Sequence, residues 1–184
     1  MNLTKEWLKS NNACSDCVKW WEDQTEADAI RVVLKLVDHN YNWSSWLLVR
    51  LMSHKQKVQY AVFAAEQVIE IYEKKYPKDD RPRKAIEAAK AFIKDPSDNK
   101  KKATNVAAAN AAYAAAVDTA DTADTADVAY AAYAAAYAAD ADVADVAYAA
   151  YAAANATYAA DIKKRIIEYG ISLVESGKEE KGEL

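Results

Sequence analysis

The ten-residue string DVAYAAYAAA, present at residues 127–136 and again at 145–154, decides the fold of this chain. It lies in a low-complexity tract over residues 103–161, in which alanine supplies 31 of 59 residues. Alanine has the highest helix propensity of the residues, and tyrosines spaced three and four apart lie on one helical face. The tract is therefore predicted to form ordered, alanine-rich helices rather than a disordered segment.

The repeat also bears on where these helices end. An unbroken helix of about 70 residues would span about 105 Å, whereas a domain of this length is about 35–40 Å across. Aspartate is a favourable helix cap, so breaks are predicted at the aspartate clusters in residues 118–124 and 140–142. Such breaks would let the two tyrosine sets face each other in a helical hairpin. Beyond the second break, one long helix is predicted from about residue 145 to 174.

The rest of the sequence has a helical composition as well. The 184 residues include only three glycines and three prolines, fewer than the turns of a β-sheet need. Thr4 and Asn12 are predicted N-caps of two short helices, and residues 53–76 are predicted to form one continuous helix. A further helix has Pro82 at its first position and is followed by a predicted loop at residues 95–102. We expect an all-α multi-helix bundle with short N-terminal and long alanine-rich C-terminal helices.

The positions of the tryptophans suggest a division of the chain into segments. All five lie within the first 46 residues. We predict a tryptophan-rich helical segment at residues 1–52, a helical bundle at 53–176 and a flexible tail at 177–184. The tryptophans are expected to hold the short N-terminal helices together, and Trp43 is in addition a candidate exposed anchor for a partner protein.

The charge distribution excludes some classes of function. The formal net charge is −4, so we do not expect a protein that binds duplex DNA through a broad basic surface. Residues 1–102 carry 19 basic and 15 acidic side chains, whereas residues 103–161 carry eight aspartates and no other charge. No apolar run reaches the ~20 residues of a membrane span, and no signal peptide is recognised. A cytoplasmic protein without membrane contact is expected.

The sequence contains no convincing catalytic or metal-binding pattern. Cys14 and Cys17 form a CxxC pair with His39 and His54 downstream, but their spacing matches no common zinc site. The aspartates of residues 118–127 recur every three residues, so on a helix they spiral instead of converging on a cation. We predict no catalytic residue, metal or cofactor, and a protein that is not an enzyme.

The candidate binding residues are basic and aromatic. Arg81, Arg83 and Lys84 form a compact basic corner at a predicted helix start, which suits a phosphate or a partner carboxylate. The alternative for Arg83 is an ordinary ion pair with Glu87, one helical turn away. Rings for a binding surface would come from the first tyrosine set, Tyr130, Tyr133 and Tyr137.

One string carries a family resemblance. YPKDDRPRKAIEAAKAF, at residues 76–92, resembles the signature D-x-R-P-R-x-A-I-x-A-A-R-A-W of the immunity-five-like proteins encoded near bacterial polymorphic toxins. Arg81, Pro82 and Arg83 match it, while Lys90 and Phe92 stand in for Arg and Trp. The resemblance covers roughly residues 60–174 and implies a helical, non-catalytic protein that binds and neutralises a toxin. In this chain, tyrosine and aspartate replace the histidine and glycine that are common in the family's alanine-rich helices.

The N-terminal strings LKSNNACSDCVKWW and NWSSWLLVRL are similar to segments of tailed-phage and prophage proteins. Together the two resemblances imply a phage or mobile-element protein that blocks a toxin or a host-defence component. Two alternatives stay open, namely a sponge for a nucleotide immune messenger and a purely structural helical module. The sponge would need Arg81 and Arg83 close to the first tyrosine set. A homo-oligomer is also left open.

Overall fold

A computed structural model describes residues 1–118, 123–139, 143–157 and 160–181. These residues form eleven α-helices, which confirms the predicted all-α class. Their bounds are α1 Lys5–Ser10, α2 Ser15–Glu22, α3 Ala29–His39, α4 Tyr41–Arg50, α5 His54–Glu66, α6 Ile69–Lys75, α7 Arg81–Lys94, α8 Asp98–Asp118, α9 Ala123–Tyr137, α10 Val143–Thr157 and α11 Ala160–Lys181.

The caps of the first two helices were only partly predictable. Thr4 caps α1 as predicted, because its hydroxyl accepts the N–H of Trp7 at 3.1 Å. The prediction that Asn12 caps α2 is wrong, since Cys14 occupies that position. Asn12 instead lies in the turn between the helices with φ of 60°. Asparagine is one of the few residues other than glycine that tolerate this left-handed conformation.

The predicted helix over residues 53–76 is two helices, so that prediction is wrong. Ser53 begins α5 with a reciprocal capping box to Gln56. The chain leaves the helical path at Val68, whose side chain is fully buried. α6 then contacts α9, and the break lets it bury Ile69 and Tyr72 in the core.

Two boundaries further along differ slightly from expectation. α7 begins at Arg81 with Asp80 at the cap position, so Pro82 is the second helical residue instead of the first. α8 begins at Asp98, so the loop before it spans residues 95–97 and is shorter than the predicted 95–102. The lysines of residues 100–102 are therefore held on a helix beside α7.

The alanine-rich tract folds into separate helices that pack on one another. α9 contacts both α8 and α10, and the ring of Tyr130 meets that of Tyr148 edge-on at 6.3 Å. The two tyrosine sets thus lie side by side, as the hairpin prediction requires. The helices end next to the predicted break points. The aspartates at residues 121, 140 and 142 lie outside the described residues.

The helix predicted over residues 145–174 is described as α10 and α11. Tyr158, which falls within the predicted helix, lies outside the described residues. α11 continues to Lys181, so residues 177–181 of the predicted tail are helical, and residues 182–184 lie outside the described residues.

Alanine, not tyrosine, fills the space between the alanine-rich helices. Ala129, Ala132 and Ala135 on α9 are fully buried, whereas the rings of Tyr137 and Tyr148 are 37% and 40% exposed. The other tyrosines of the first set pack against the core while staying partly exposed. Methyl side chains let the helix axes come close, and a large ring with a hydroxyl is then accommodated at the rim, where the hydroxyl reaches water.

The buried apolar residues form one core that spans the chain. Leu3 and Val33 from the predicted segment 1–52 belong to it together with Tyr60 and Ile166 from the predicted bundle 53–176. The division of the sequence at residue 52 stays a prediction. Among the described helices, none is long and apolar enough to cross a membrane.

Candidate functional site

A groove of about 470 Å³ lies between the start of α7 and the first half of α8. It is called the α7–α8 groove here, and its lining residues are Arg81, Lys84, Lys102, Ala103, Val106, Ala107 and Asn110. Three of these side chains are cationic, and no carboxylate is among the described residues that line it. The volume falls in the range of sites that bind small ligands or a few side chains of a partner.

Arg81 is held at the groove by its neighbours in the α6–α7 loop. Its Nε donates to Asp79 Oδ1 at 2.8 Å, and its Nη2 donates to Asp79 Oδ2. The hydroxyl of Tyr72, a fully buried residue, donates to Asp79 Oδ2 at 2.8 Å. The Arg81 guanidinium and the Tyr72 hydroxyl lower the pKa of the Asp79 carboxyl to about 2. Through Asp79, the basic corner is therefore connected to the buried Tyr72 in the core.

Asp79→Asn is expected to lower the free energy of unfolding by about 1–2 kcal/mol at pH 7, because two donors lose a charged acceptor. The pKa of Asp79 in the folded protein, about 2, lies below the ordinary value of 3.8 for an aspartate. The contribution is therefore fully present above about pH 4 and is lost as the pH falls from about 4 towards 2. Urea unfolding of both proteins between pH 2 and pH 7 measures this difference.

Asp80→Asn is the matched control. Asp80 also pairs with a cation, Lys84 at 2.9 Å, but both side chains are mostly exposed. Its replacement should change the free energy of unfolding by less than about 0.5 kcal/mol. If the difference in free energy of unfolding between wild type and Asp79→Asn stays constant down to pH 2, the charge of Asp79 does not contribute as proposed.

Arg83 forms its ion pair with Glu73 and not with its predicted partner Glu87. Its Nε and Nη2 donate to the two carboxylate oxygens of Glu73 on α6, both at 2.7 Å. The predicted pair with Glu87 is therefore not the main contact of Arg83. This bidentate ion pair joins α6 to α7, so Arg83 stabilises the basic corner. Arg81 and Lys84, in contrast, line the groove.

Two exposed apolar residues complete the groove surface, and sequence reasoning missed both. The Val106 side chain lies in the lining and is 64% exposed, and Tyr113, one helical turn beyond Asn110, is 66% exposed. The guanidinium carbon of Arg81 lies 5.7 Å from the centroid of the Tyr113 ring. Val106 and Tyr113 are seven residues apart in sequence, which places them on the same face of α8. This spacing is hard to recognise in the sequence because alanines surround both residues.

The predicted tyrosines lie on α9 rather than at this groove. Tyr130 contacts Tyr148 of α10, and the rings of Tyr133 and Tyr137 stack on each other at 5.5 Å. The ring that the structure places over Arg81 is that of Tyr113 on α8.

Trp43 lies in an aromatic cluster of the N-terminal helices. The imidazole of His39 stacks on the ring of Trp20 at 5.2 Å and meets the ring of Trp43 at 5.8 Å. Trp43 is half-buried, which agrees with a role in holding these helices together. Its use as an anchor for a partner stays a prediction.

The cysteines and histidines have separate environments. Cys14 Sγ accepts the N–H of Cys17 at 3.4 Å as the cap of α2. Cys17 is buried, and burial raises the pKa of its thiol to about 11. His54 meets the ring of Phe92, away from the His39 cluster. In the part of the chain that the structure describes, no three potential ligands come together as a metal site.

Comparison with known proteins gives one match. The model of a family described as "Imm-5 like putative immunity protein" matches residues 47–175. All residues of the α7–α8 groove lie within this range, whereas Trp43 lies outside it. No curated protein and no solved structure matches the chain.

Proposed function

Because the chain belongs to the Imm-5-like family of immunity proteins, we propose that it neutralises a harmful protein by binding it, without catalysis, at the α7–α8 groove. The target is a toxin or a host-defence component. The single observation that carries the assignment to this groove is the exposed Val106–Tyr113 surface beside Arg81 and Lys84.

The chemistry of this surface supports protein binding. Large apolar side chains are usually buried, so two of them exposed within seven residues of one helix stand out. Arginine and tyrosine are enriched among the residues that dominate protein interfaces. Arg81 is also fixed by Asp79, so little side-chain freedom remains to be lost on binding.

A survival assay tests the proposal. Each protein encoded beside the gene for this chain is expressed alone, and those that stop growth are then co-expressed with it. Wild-type protein is expected to restore growth against one of them. Val106→Glu should weaken rescue strongly, because it places a charge on the exposed apolar surface.

Leu34→Glu is the matched control for Val106→Glu. Leu34 is an aliphatic residue on α3 with 48% exposure, so its replacement adds the same charge at another helix surface. Equal loss of rescue in both variants would contradict the assignment to the groove. If the wild-type protein relieves none of the growth-stopping neighbours, neutralisation of a toxin encoded beside this gene is contradicted.

A nucleotide messenger is the second candidate ligand. The groove combines three cations with the ring of Tyr113 and is large enough for such a molecule. A melting-temperature screen with cyclic nucleotides separates the candidates. A bound messenger at about 100 times its Kd would stabilise the protein by about 2.7 kcal/mol, whereas a purely protein-binding groove gives no shift.

A further inference from the structure

We propose that the α7–α8 groove takes an acidic, amphipathic helix of the target protein. This inference rests on the proposed function and specifies the chemistry of the segment that occupies the groove.

The apolar part of the surface has the spacing of a helix-binding face. Val106, Asn110 and Tyr113 follow one another at intervals of four and three residues, so they lie in a row along α8. Ala103 and Ala107 line the groove beside this row. Methyl side chains let a second helix approach closely, while Val106 and Tyr113 offer protruding contacts between its apolar residues.

The charged part of the surface selects an acidic partner. Arg81 and Lys84 extend from the first turn of α7, and Lys102 extends from the first turns of α8. Asp79 and Asp80 lie close by, but each is already engaged by a cation, Asp79 by Arg81 and Asp80 by Lys84. The lining is therefore cationic along one side of the row, on α7, and at the start of the row, where Lys102 lies one helical turn before Val106.

The cationic surface continues past Arg81. A second, open groove of about 640 Å³ shares Arg81 and is lined also by Lys75, Tyr76, Pro77 and Lys78, together with the two aspartates that Arg81 and Lys84 engage. An acidic helix that lies along α8 could extend over the α6–α7 loop and meet these lysines. An amphipathic helix with glutamates flanking its apolar face matches both the row and its cationic borders.

Designed peptides test this chemistry without knowledge of the target. The probe is a fluorescein-labelled helical peptide of about 18 residues, five turns long, with leucines on one face and glutamates on its flanks. Two matched peptides carry glutamine or lysine in place of every glutamate. Binding to the full chain is followed by fluorescence anisotropy at low and high salt.

We expect saturable binding of the glutamate peptide, weaker binding of the glutamine peptide and no binding of the lysine peptide. Raising the salt concentration should weaken the binding of the glutamate peptide more than that of the glutamine peptide. Tyr113→Glu should weaken its binding about thirtyfold or more, and Lys102→Gln about threefold. Leu34→Glu should leave the Kd unchanged, since Leu34 lies on α3.

Four results would overturn the inference. The first is a glutamine peptide that binds as tightly as the glutamate peptide, and the second is glutamate-peptide binding that Tyr113→Glu leaves intact. The third is a failure of the glutamate peptide to bind, and the fourth is displacement of the bound peptide by a single-stranded oligonucleotide at lower concentration than by unlabelled peptide. If Val106→Glu still abolishes rescue of growth in any of these cases, the neutralising function stands and only the acidic-helix chemistry fails.

Discussion

Gly170→Ala is expected to lower the free energy of unfolding by about 1–3 kcal/mol, although alanine is the better helix former by ~1 kcal/mol. Gly170 lies inside α11 against α4 and α5. A β-carbon there would lie 2.6 Å from Leu48 Cδ2 and 2.7 Å from Tyr60 Cε2. Both distances are well inside van der Waals contact, so the neighbours would have to move.

Neither neighbour has room to yield. Leu48 and Tyr60 are both fully buried, and the Tyr60 hydroxyl is hydrogen-bonded to Ser45 Oγ at 3.3 Å. Thermal unfolding measures the effect, with a drop of about 2–4 °C for each kcal/mol in a chain of this length.

Gly177→Ala provides the matched control on the same helix. The atom that a β-carbon would meet there is the amide nitrogen at the end of the Gln56 side chain. This side chain is only half-buried and can shift, but its amide also bonds the backbone of Ser53 and Leu173, so we expect a loss of less than about 1 kcal/mol. In a Leu48→Ala background, the cost of Gly170→Ala should be smaller than in the wild type, because the shortened side chain leaves space for the β-carbon. A Gly170→Ala variant that is as stable as Gly177→Ala would contradict the close approach.

The Gly170 contact illustrates what the sequence alone could not supply. The pattern of Ile166, Tyr169 and Leu173 correctly predicted a helix through this region. In that pattern Gly170 is only a weak helix former. Its role depends on Tyr60, which is more than a hundred residues away in sequence. Local periodicity reports which face of a helix is buried, but not which distant side chain occupies the facing space.

The same distinction applies to the candidate site. Arg81 was found because a helix start and a family signature both mark it, and Lys84 was found because it lies at the same helix start. Tyr113 and Glu73 were missed, because the ring over Arg81 and the acceptor for Arg83 come from other helices. Sequence reasoning therefore supplied the basic half of the groove, while the apolar half required the packing of α8 on α7.

The alanine-rich tract shows where periodicity is least informative. Nearly every position is apolar or small, so the spacing of the tyrosines was the visible signal of a helical face. The structure buries the alanines of α9 against α8 and α10 and leaves the larger rings at the rim. Close packing of helices through methyl groups leaves no pattern in the sequence beyond the abundance of alanine itself.

Ala132→Leu is expected to lower the free energy of unfolding by about 3 kcal/mol, at the upper end of the cost of overpacking a core. Ala132 is fully buried on α9, which contacts helices on several sides, α5, α7, α8 and α10 among them. Three added carbon atoms would force at least one of these helices outward. Leucine and alanine both favour helix, so the loss measures packing and not propensity.

Ala109→Leu is the matched substitution at a solvent-facing position. Ala109 lies exposed on α8, so the same three carbon atoms should change the free energy of unfolding by less than about 0.5 kcal/mol. Urea unfolding monitored by circular dichroism compares the two variants, and both should keep the native helix signal at low urea. Equal stability of Ala132→Leu and Ala109→Leu would mean that α9 is not closely packed. In that case the alanine tract would need another explanation than the close approach of its helices.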